Sequence, residues 1–209
     1  MVTERRRRPY EDAPCLPEGE TVDVRTLVVG AWIELEIGPG RGGFMAERAR
    51  AAPEAGLIGL EVRRKWASIV DERLARAGLA PRARVFAEDA KIALPRLVPD
   101  ASLRRVFVHF PDPWWKKRHH KRRVMGDETI AQIARLVARG GELFVQTDVD
   151  DRADAIEALV AVTPAFAPFG DATGSARIAE NPYDARSPRE RRAIADGLPV
   201  HRLRWTRRS

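Results

Sequence analysis

Carboxylates follow three successive β-like runs of the sequence, where side chains could meet a ligand. Glu36 precedes the glycine-rich loop Gly38-Pro39-Gly40, Glu61 ends the second run, and Asp89 follows the third. Glycines let a backbone approach a ligand closely, and an acid about 20 residues further on can accept both hydroxyls of a ribose. Asp89 could accept the exocyclic amine of adenine, although it is equally suited to capping a helix. Together the three acids predict a pocket for an adenosine-containing cofactor.

The glycine loop alone leaves two cofactors open. Gly38, Gly40 and Gly43 fit the dinucleotide pattern, so an NAD-dependent oxidoreductase is one alternative. Glu36, however, would lie close to a pyrophosphate without compensating charge. The cationic amino group and sulfonium of S-adenosylmethionine would instead be favoured beside a carboxylate. We therefore expect S-adenosylmethionine as the cofactor.

The fourth run ends in Phe110-Pro111-Asp112-Pro113-Trp114-Trp115, and a basic octapeptide (residues 116–123) follows directly. The prolines fix φ on both sides of Asp112, and Trp114 offers a face on which a base could stack. The octapeptide carries six positive charges and no acid, while the net charge of the whole chain is +7. Charge concentrated in one stretch favours a phosphate backbone as the partner, so a non-catalytic RNA-binding protein is a second alternative.

Alternating strands and helices must position these residues. The sequence predicts strands at 32–37, 56–62, 84–86, 104–110 and 142–147, and helices at 44–52, 66–77, 92–98, from 130 to a cap at Gly140-Gly141, and around 156–160. After Pro164 only Val200 to Trp205 reads as a convincing strand. Five βα units in series predict an α/β fold with a doubly wound, mostly parallel sheet and helices on both faces.

Length and composition bound the remaining possibilities. The 209 residues predict a single domain over residues 26–209, preceded by a flexible, proline-rich arm over residues 1–25. The single cysteine, Cys15, allows no internal disulfide, and His119 and His120 lack further ligands nearby, so we expect no metal. Neither a signal peptide nor an apolar run of about 20 residues is seen, and a cytoplasmic protein without a membrane partner is expected.

The order and spacing of five segments closely resemble those of the bacterial tRNA (guanine-N7-)-methyltransferases, which are Rossmann-like class I methyltransferases. The segments are Glu36-Ile37-Gly38-Pro39-Gly40, Gly59-Leu60-Glu61-Val62, Asp89-Ala90, Phe110 to Arg123, and Gln146-Thr147-Asp148. The resemblance implies methyl transfer from S-adenosylmethionine to N7 of a tRNA guanine, the variable-loop guanosine at position 46. The enzyme would act as a monomer or a homodimer.

The resemblance also implies roles for individual residues. Those expected to bind the cofactor are Glu36, Gly38, Gly40, Glu61, Asp89 and Asp112. Asp112 is also the expected catalytic residue, acting either by stabilising charge on the purine or by recognising the Watson-Crick edge of guanine. Those expected to contact tRNA are Lys116, Arg118, Lys121, Arg122, Asp148, Asn181, Tyr183 and Asp184. The last three assume that Asn181-Pro182-Tyr183-Asp184 replaces the family's late Thr-x-Tyr/Phe-Glu segment.

Overall fold

The structure is a computed structural model that describes residues 10–111 and 124–209. Its strands are β1 (Val22–Asp23), β2 (Trp32–Ile37), β3 (Ala55–Leu60), β4 (Ala83–Phe86), β5 (Leu97–Val98), β6 (Leu103–His109), β7 (Val137–Thr147), β8 (Phe166–Pro168), β9 (Arg177–Ile178) and β10 (His201–Arg207). Its helices are α1 (Gly43–Ala51), α2 (Arg64–Arg76), α3 (Ala90–Ala93), α4 (Asp127–Leu136), α5 (Asp150–Ala161) and α6 (Pro188–Ala195). The five predicted βα units are therefore confirmed, with boundaries that shift by a few residues.

The central sheet has the strand order β4-β3-β2-β6-β7-β10-β8, and β9 pairs with β10. Strands β4, β3, β2, β6 and β7 are parallel, whereas β10 runs antiparallel to β7 and β8. The chain runs outward from β2 to β4 and then returns to β6 on the other side of β2. The carboxyl ends of β2 and β6 therefore flank the point where the strand order reverses, which is where open α/β sheets bind ligands.

Helices cover both faces of this sheet, as the sequence predicts. Successive residues of β3 belong to different cores: Leu57 is in the core that contains residues of α1 and α2, and Ile58 is in the core that contains residues of α4 and α5. Because successive side chains of a strand point to opposite faces, the two helix pairs lie on opposite sides of the sheet. This three-layer arrangement leaves the carboxyl ends of the strands for the loops that carry the predicted site.

The chain before residue 26 differs from the expected flexible arm wherever the structure describes it. Leu16, Val22 and Val24 are buried in the main core, and β1 pairs in parallel with β5. The main-chain N–H of Leu16 donates to Glu88 Oε1 at 2.9 Å. Apolar residues among the prolines thus anchor residues 10–25 to the domain, and residues 1–9 of the predicted arm lie outside the described chain.

Two helix ends also differ from the sequence prediction. Helix α4 ends at Leu136, because Val137 already has extended φ and ψ angles and begins β7, so Gly140-Gly141 lies within a strand rather than at a helix cap. A Cβ at Gly141 would lie 2.8 Å from the carbonyl oxygen of Arg104, a close approach that only glycine allows. The predicted helix over 92–98 is shorter, because a 3₁₀ turn containing Pro95 and then β5 follow α3.

The sequence analysis predicted neither the short strands β1, β5, β8 and β9 nor helix α6, and α6 is the one that bears on the site. Ser187 is its N-cap, accepting a hydrogen bond from the main-chain N–H of Glu190 at 3.1 Å, and Pro188 occupies the first helical position. Ser-x-x-Glu with proline inside the first turn is a helix-start signature that can be read from sequence. The helix brings its first turn to the carboxyl end of the sheet.

Candidate functional site

A buried polar contact lies at the point where the strand order reverses. Glu36, one residue before the end of β2, places Oε1 2.7 Å from Nδ1 of His109, the last residue of β6. The residues are only 4% and 9% exposed. Glu36 Oε2 and His109 Nε2 are buried and have no hydrogen-bond partner within the described parts of the chain. The sequence predicted Glu36 but not His109.

The glycine loop after β2 leaves open space beside the sheet. Gly38 has a φ of +72°, and a Cβ built there would meet nothing within 4 Å. Gly40 also has a positive φ, and its main-chain N–H donates to Glu61 Oε2 at 2.9 Å. The loop is therefore tied to the end of β3, with the backbone of Gly38 accessible to a ligand, as the glycine pattern predicts.

The other two predicted acids lie on one cavity of about 490 Å³ beside this loop. Glu61 is buried, and its Oε1 accepts hydrogen bonds from the main-chain N–H and from Nε of Arg63, at 2.9 and 3.1 Å. Asp89 is exposed and caps α3 by accepting from the N–H of Lys91 at 2.9 Å. Gly38, Val62 and Phe110 also line the cavity. With Glu88, it thus combines apolar walls with three carboxylates, the chemistry that adenosine requires.

A second cavity of about 630 Å³ adjoins the first, and the two share Gly38, Arg63, His109, Phe110 and Pro111 in their walls. Its lining includes the acids Glu36 and Asp148 and five arginines, which are Arg41, Arg63, Arg152, Arg189 and Arg192. This excess of cations favours an anionic ligand, while Glu36 places a carboxylate in the second cavity beside His109, which lines both.

Asp148 follows β7 at the wall of the second cavity, where the sequence predicts a substrate contact. Its Oδ2 forms an ion pair with Nη2 of Arg189 in the first turn of α6. Arg189 was missed because α6 was missed, although the start signature at Ser187 could have indicated the helix. The structure therefore brings the loop after β7 and the start of α6 together at one wall.

The predicted segment Asn181 to Asp184 has a different role from the one expected. Tyr183 is 4% exposed and packs against Phe44, Phe107 and Phe144, while its hydroxyl donates to Glu142 Oε2 at 2.6 Å. Its side chain serves the core and is not available at the surface for tRNA. This position corrects the expectation of a tRNA contact at Tyr183.

The neighbours of Tyr183 in this segment shape a turn. The side-chain amide of Asn181 donates to the carbonyl of Ala185 at 2.9 Å and to Glu190 Oε2 at 3.0 Å, and its Oδ1 accepts from the N–H of Tyr183. Asp184 is exposed, with a φ of +54°. Neither Asn181 nor Asp184 lines either of the two cavities.

Ser187 to Glu190 fits the late segment better than Asn181 to Asp184. Ser187, Pro188 and Arg189 line the second cavity, and the segment keeps a hydroxyl residue in the first place and glutamate in the fourth. Glu190 is fully buried and holds Nη2 of Arg202 at 2.9 Å. The sequence analysis chose Asn181 to Asp184 because Asn-x-Tyr-Asp has a similar spacing.

A buried charge network supports the floor of the site from the middle of the sheet. Glu34 Oε2 and Oε1 lie 2.8 Å from Arg48 and Arg105 respectively. Burial alone would raise the pKa of Glu34, but hydrogen bonds from Arg48 and Arg105 outweigh it and lower the pKa below its ordinary value. Burial together with the charge of Glu142 raises the pKa of Tyr183 well above its ordinary range. Glu34, Arg105 and Tyr183 line neither of the two cavities, so this network stabilises the fold.

The remaining predicted site residues lie in the segment 112–123, outside the described residues. They are Asp112, Lys116, Arg118, Lys121 and Arg122. The described residues on either side of this segment, Pro111 and Val124, both line the first cavity. Phe110 has a φ of +47°, a conformation rare for a side chain of this size and typical of strained positions at functional sites. The described chain therefore reaches the site on both sides of this segment.

The described ranges 10–111 and 124–209 hold neither a metal-binding cluster nor a membrane-spanning helix. They contain no cluster of three or more His, Cys, Asp or Glu side chains that could hold a metal ion. No helix in them is long and apolar enough to cross a membrane.

Comparison with known proteins gives consistent matches. A family model described as "Putative methyltransferase" matches residues 31–203. A curated protein named tRNA (guanine-N(7)-)-methyltransferase, from Anaeromyxobacter dehalogenans, is 46% identical over 84% of this chain and 85% of its own length. A protein of the same name from Myxococcus xanthus is 37% identical over 82% of each chain.

Solved structures support the fold alone. The 16S rRNA methyltransferase KamB matches 88% of this chain and 91% of its own, with a TM-score of 0.58 and 16% identity. An rRNA methylase from Streptococcus thermophilus matches 88% of this chain and 92% of its own, with a TM-score of 0.55 and 15% identity. The predicted Rossmann-like methyltransferase fold is thereby confirmed.

Proposed function

Since the chain belongs to the family of the bacterial tRNA (guanine-N(7)-)-methyltransferases, we propose that it transfers a methyl group from S-adenosylmethionine to N7 of guanine in tRNA. The product is 7-methylguanosine, and the target is the variable-loop guanosine at position 46. The observation that carries this proposal is the meeting of an acid-lined and an arginine-lined cavity at Gly38 and His109. One cavity suits an adenosine cofactor and the other a polyanion.

Residues of both cavities fit S-adenosylmethionine, since Glu36 lines the second cavity and Glu61 and Asp89 line the first. Glu36 Oε2 is buried without a partner in the described chain, and a cationic amino group would satisfy it. Glu61 and Asp89 present carboxylates to the adenosine, and Gly38 leaves room for the ligand against the backbone. When bound, S-adenosylmethionine supplies the methyl group as an electrophile.

The protein's contribution to the reaction is mainly placement. Guanine N7 carries a lone pair and no proton, so no general base is required. Alignment of bound reactants can lower a barrier by roughly 7 to 11 kcal/mol. Asp112, which the resemblance makes the catalytic residue, is two residues after Phe110 in the sequence, and its carboxylate would favour the positive charge that develops on the purine.

Arginines around the second cavity would hold the tRNA. Arg189 and Arg192 on α6, with Arg41 and Arg63, line the second cavity, where the target guanine would lie. The basic octapeptide 116–123, which contains Lys116, Arg118, Lys121 and Arg122, would add contacts to phosphates next to the target. A tRNA substrate makes the cytoplasm the expected compartment.

The experiment that tests the proposal is incubation of the protein with methyl-labelled S-adenosylmethionine and an unmodified tRNA transcript. We expect label in the tRNA, and we expect none when the guanosine at position 46 is replaced by adenosine. Labelling of both transcripts would contradict the assigned position, and labelling of neither would contradict the proposed reaction.

A further inference from the structure

His109 is held rigidly at the junction of the two cavities. Its ring centroid lies 4.2 Å from that of Phe44 and 5.9 Å from that of Phe107, with the Phe107 ring almost parallel. Aromatic packing on these sides fixes the plane of the imidazole, so the direction of Nδ1 is set by the fold. That direction leads to Glu36 Oε1 at 2.7 Å.

The contact determines which Glu36 oxygen remains for a ligand. A carboxylate only accepts hydrogen bonds, so Nδ1 of His109 carries the proton and donates to Oε1. Oε2 is left buried without a partner in the described chain. An unsatisfied buried oxygen of a charged group is costly, and a cation placed against it would remove the cost.

A third polar side chain extends this arrangement across the sheet. Gln146 pairs with His109 in the register of β6 and β7, and it is fully buried. Neither atom of its side-chain amide has a hydrogen-bond partner among the described residues. Glu36, His109 and Gln146 thus place polar atoms without partners on three neighbouring strands, next to aromatic side chains. This arrangement indicates a binding site for a polar ligand rather than a purely structural core.

We propose that His109 is a positioning residue, which holds Glu36 Oε1 so that Oε2 faces the amino group of S-adenosylmethionine. This inference rests on the proposed function, because it takes that compound as the ligand. His109 touches neither the methyl group nor the guanine in this role. Its effect is confined to the amino-acid end of the cofactor and should be absent for a ligand that lacks that end.

The test compares two ligands by equilibrium calorimetry on the full chain. S-Adenosylhomocysteine carries the amino-acid group, whereas 5′-methylthioadenosine has the same adenosine and lacks it. His109→Phe keeps a ring for packing but removes the donor, and His109→Asn keeps an N–H close to the position of Nδ1. We expect His109→Phe to weaken S-adenosylhomocysteine about 10- to 100-fold, the usual range for a bond to a charged group. Binding of 5′-methylthioadenosine should stay within about twofold.

Rescue by the conservative variant separates positioning from packing. We expect His109→Asn to bind S-adenosylhomocysteine within about threefold of wild type. If His109→Phe does not fold, His109→Gln removes the same donor and should show the same ligand-selective loss. Equal weakening of both ligands, unchanged binding of both, or a loss in His109→Asn as large as in His109→Phe would overturn the role of His109. Failure of the wild type to bind either ligand would instead contradict the proposed cofactor.

Discussion

The main-chain N–H of Gly40 donates a 2.9 Å hydrogen bond to Glu61 Oε2, which joins the loop after β2 to the end of β3. The other oxygen of Glu61 accepts from the N–H of Arg63. One buried carboxylate thus fixes two loops of the site while it also faces the first cavity. A ribose at this place would meet an acid that is already fixed in position.

Glu61→Gln should weaken every ligand that contains the adenosine. The amide keeps one acceptor but loses the negative charge, which we expect to reduce affinity for 5′-methylthioadenosine and for S-adenosylhomocysteine alike, by about 10-fold or more. Calorimetry with the two ligands measures this. Glu72→Gln is the matched control, because Glu72 lies exposed on α2 and pairs with Arg76 at 3.6 Å. Full affinity for 5′-methylthioadenosine in Glu61→Gln would show that Glu61 does not hold the adenosine.

Arg189→Ala should raise the KM for tRNA about tenfold, while the KM for S-adenosylmethionine stays within about twofold, since Arg189 lines only the second cavity. The loss also frees Asp148 from its ion pair. Steady-state kinetics with each substrate varied in turn measures both constants. Arg191→Ala is the control on the same helix, because Arg191 pairs with Glu47 and lies outside the cavity lining. Equal effects of the two substitutions would mean that only the total charge of α6 matters.

Tyr183→Phe should lower stability without changing methyl transfer, because Tyr183 is buried in the core. At pH 8 the loss of its hydrogen bond to Glu142 is expected to cost about 1 to 3 kcal/mol of unfolding free energy. Burial and the charge of Glu142 raise the pKa of Tyr183 above its ordinary value of 10. As the pH rises, Tyr183 therefore ionises in the unfolded chain before it does in the folded one. The stability that protonated Tyr183 contributes is thus present below pH 10 and is lost as the pH rises above it.

Urea denaturation of wild type and Tyr183→Phe at pH 8 and pH 11 checks that dependence. The difference in unfolding free energy between the two proteins should shrink at the higher pH, by up to about 1.4 kcal/mol for each pH unit above 10. A difference that grows from pH 8 to pH 11 would contradict the stated burial effect. A rise in the KM for tRNA in Tyr183→Phe would instead indicate that Tyr183 contacts tRNA, contrary to its buried position.

Asp112→Ala should lose about 100-fold or more of methyl transfer while keeping much of the affinity for tRNA. The reason is that a carboxylate near the purine stabilises charge that develops only during the reaction. Single-turnover transfer of label and filter binding of the same tRNA measure the two quantities. Equal losses of transfer and of affinity would indicate that Asp112 binds tRNA and has no catalytic role.

The parallel part of the fold could be predicted because short apolar runs alternate along the sequence with segments of helical periodicity. Trp32 to Ile37 is predicted with the same bounds as β2. The strand order could not be predicted, since it depends on contacts between distant residues. For that reason Glu36 was found from the sequence, but its contact with His109, 73 residues away, was not.

Residues 181–190 show more clearly what could not be predicted from the sequence alone. Tyr183 and Asp184 match the spacing of a family segment, yet the aromatic core formed by Phe107 and Phe144 takes up Tyr183. Ser187 carried the better signal, as the start of α6, but only the structure shows that this helix begins at the second cavity. The preference for S-adenosylmethionine over NAD rested on the charge of Glu36 and agrees with the family to which the chain belongs.

Nucleoside analysis shows directly whether the protein methylates guanine at N7. Unmodified tRNA is incubated with the protein and S-adenosylmethionine, digested to nucleosides and separated with mass detection, with boiled protein as the control. We expect 7-methylguanosine as the new nucleoside, at up to one molecule for each tRNA. A methylated guanosine other than 7-methylguanosine, or methylation of another base, would contradict the account.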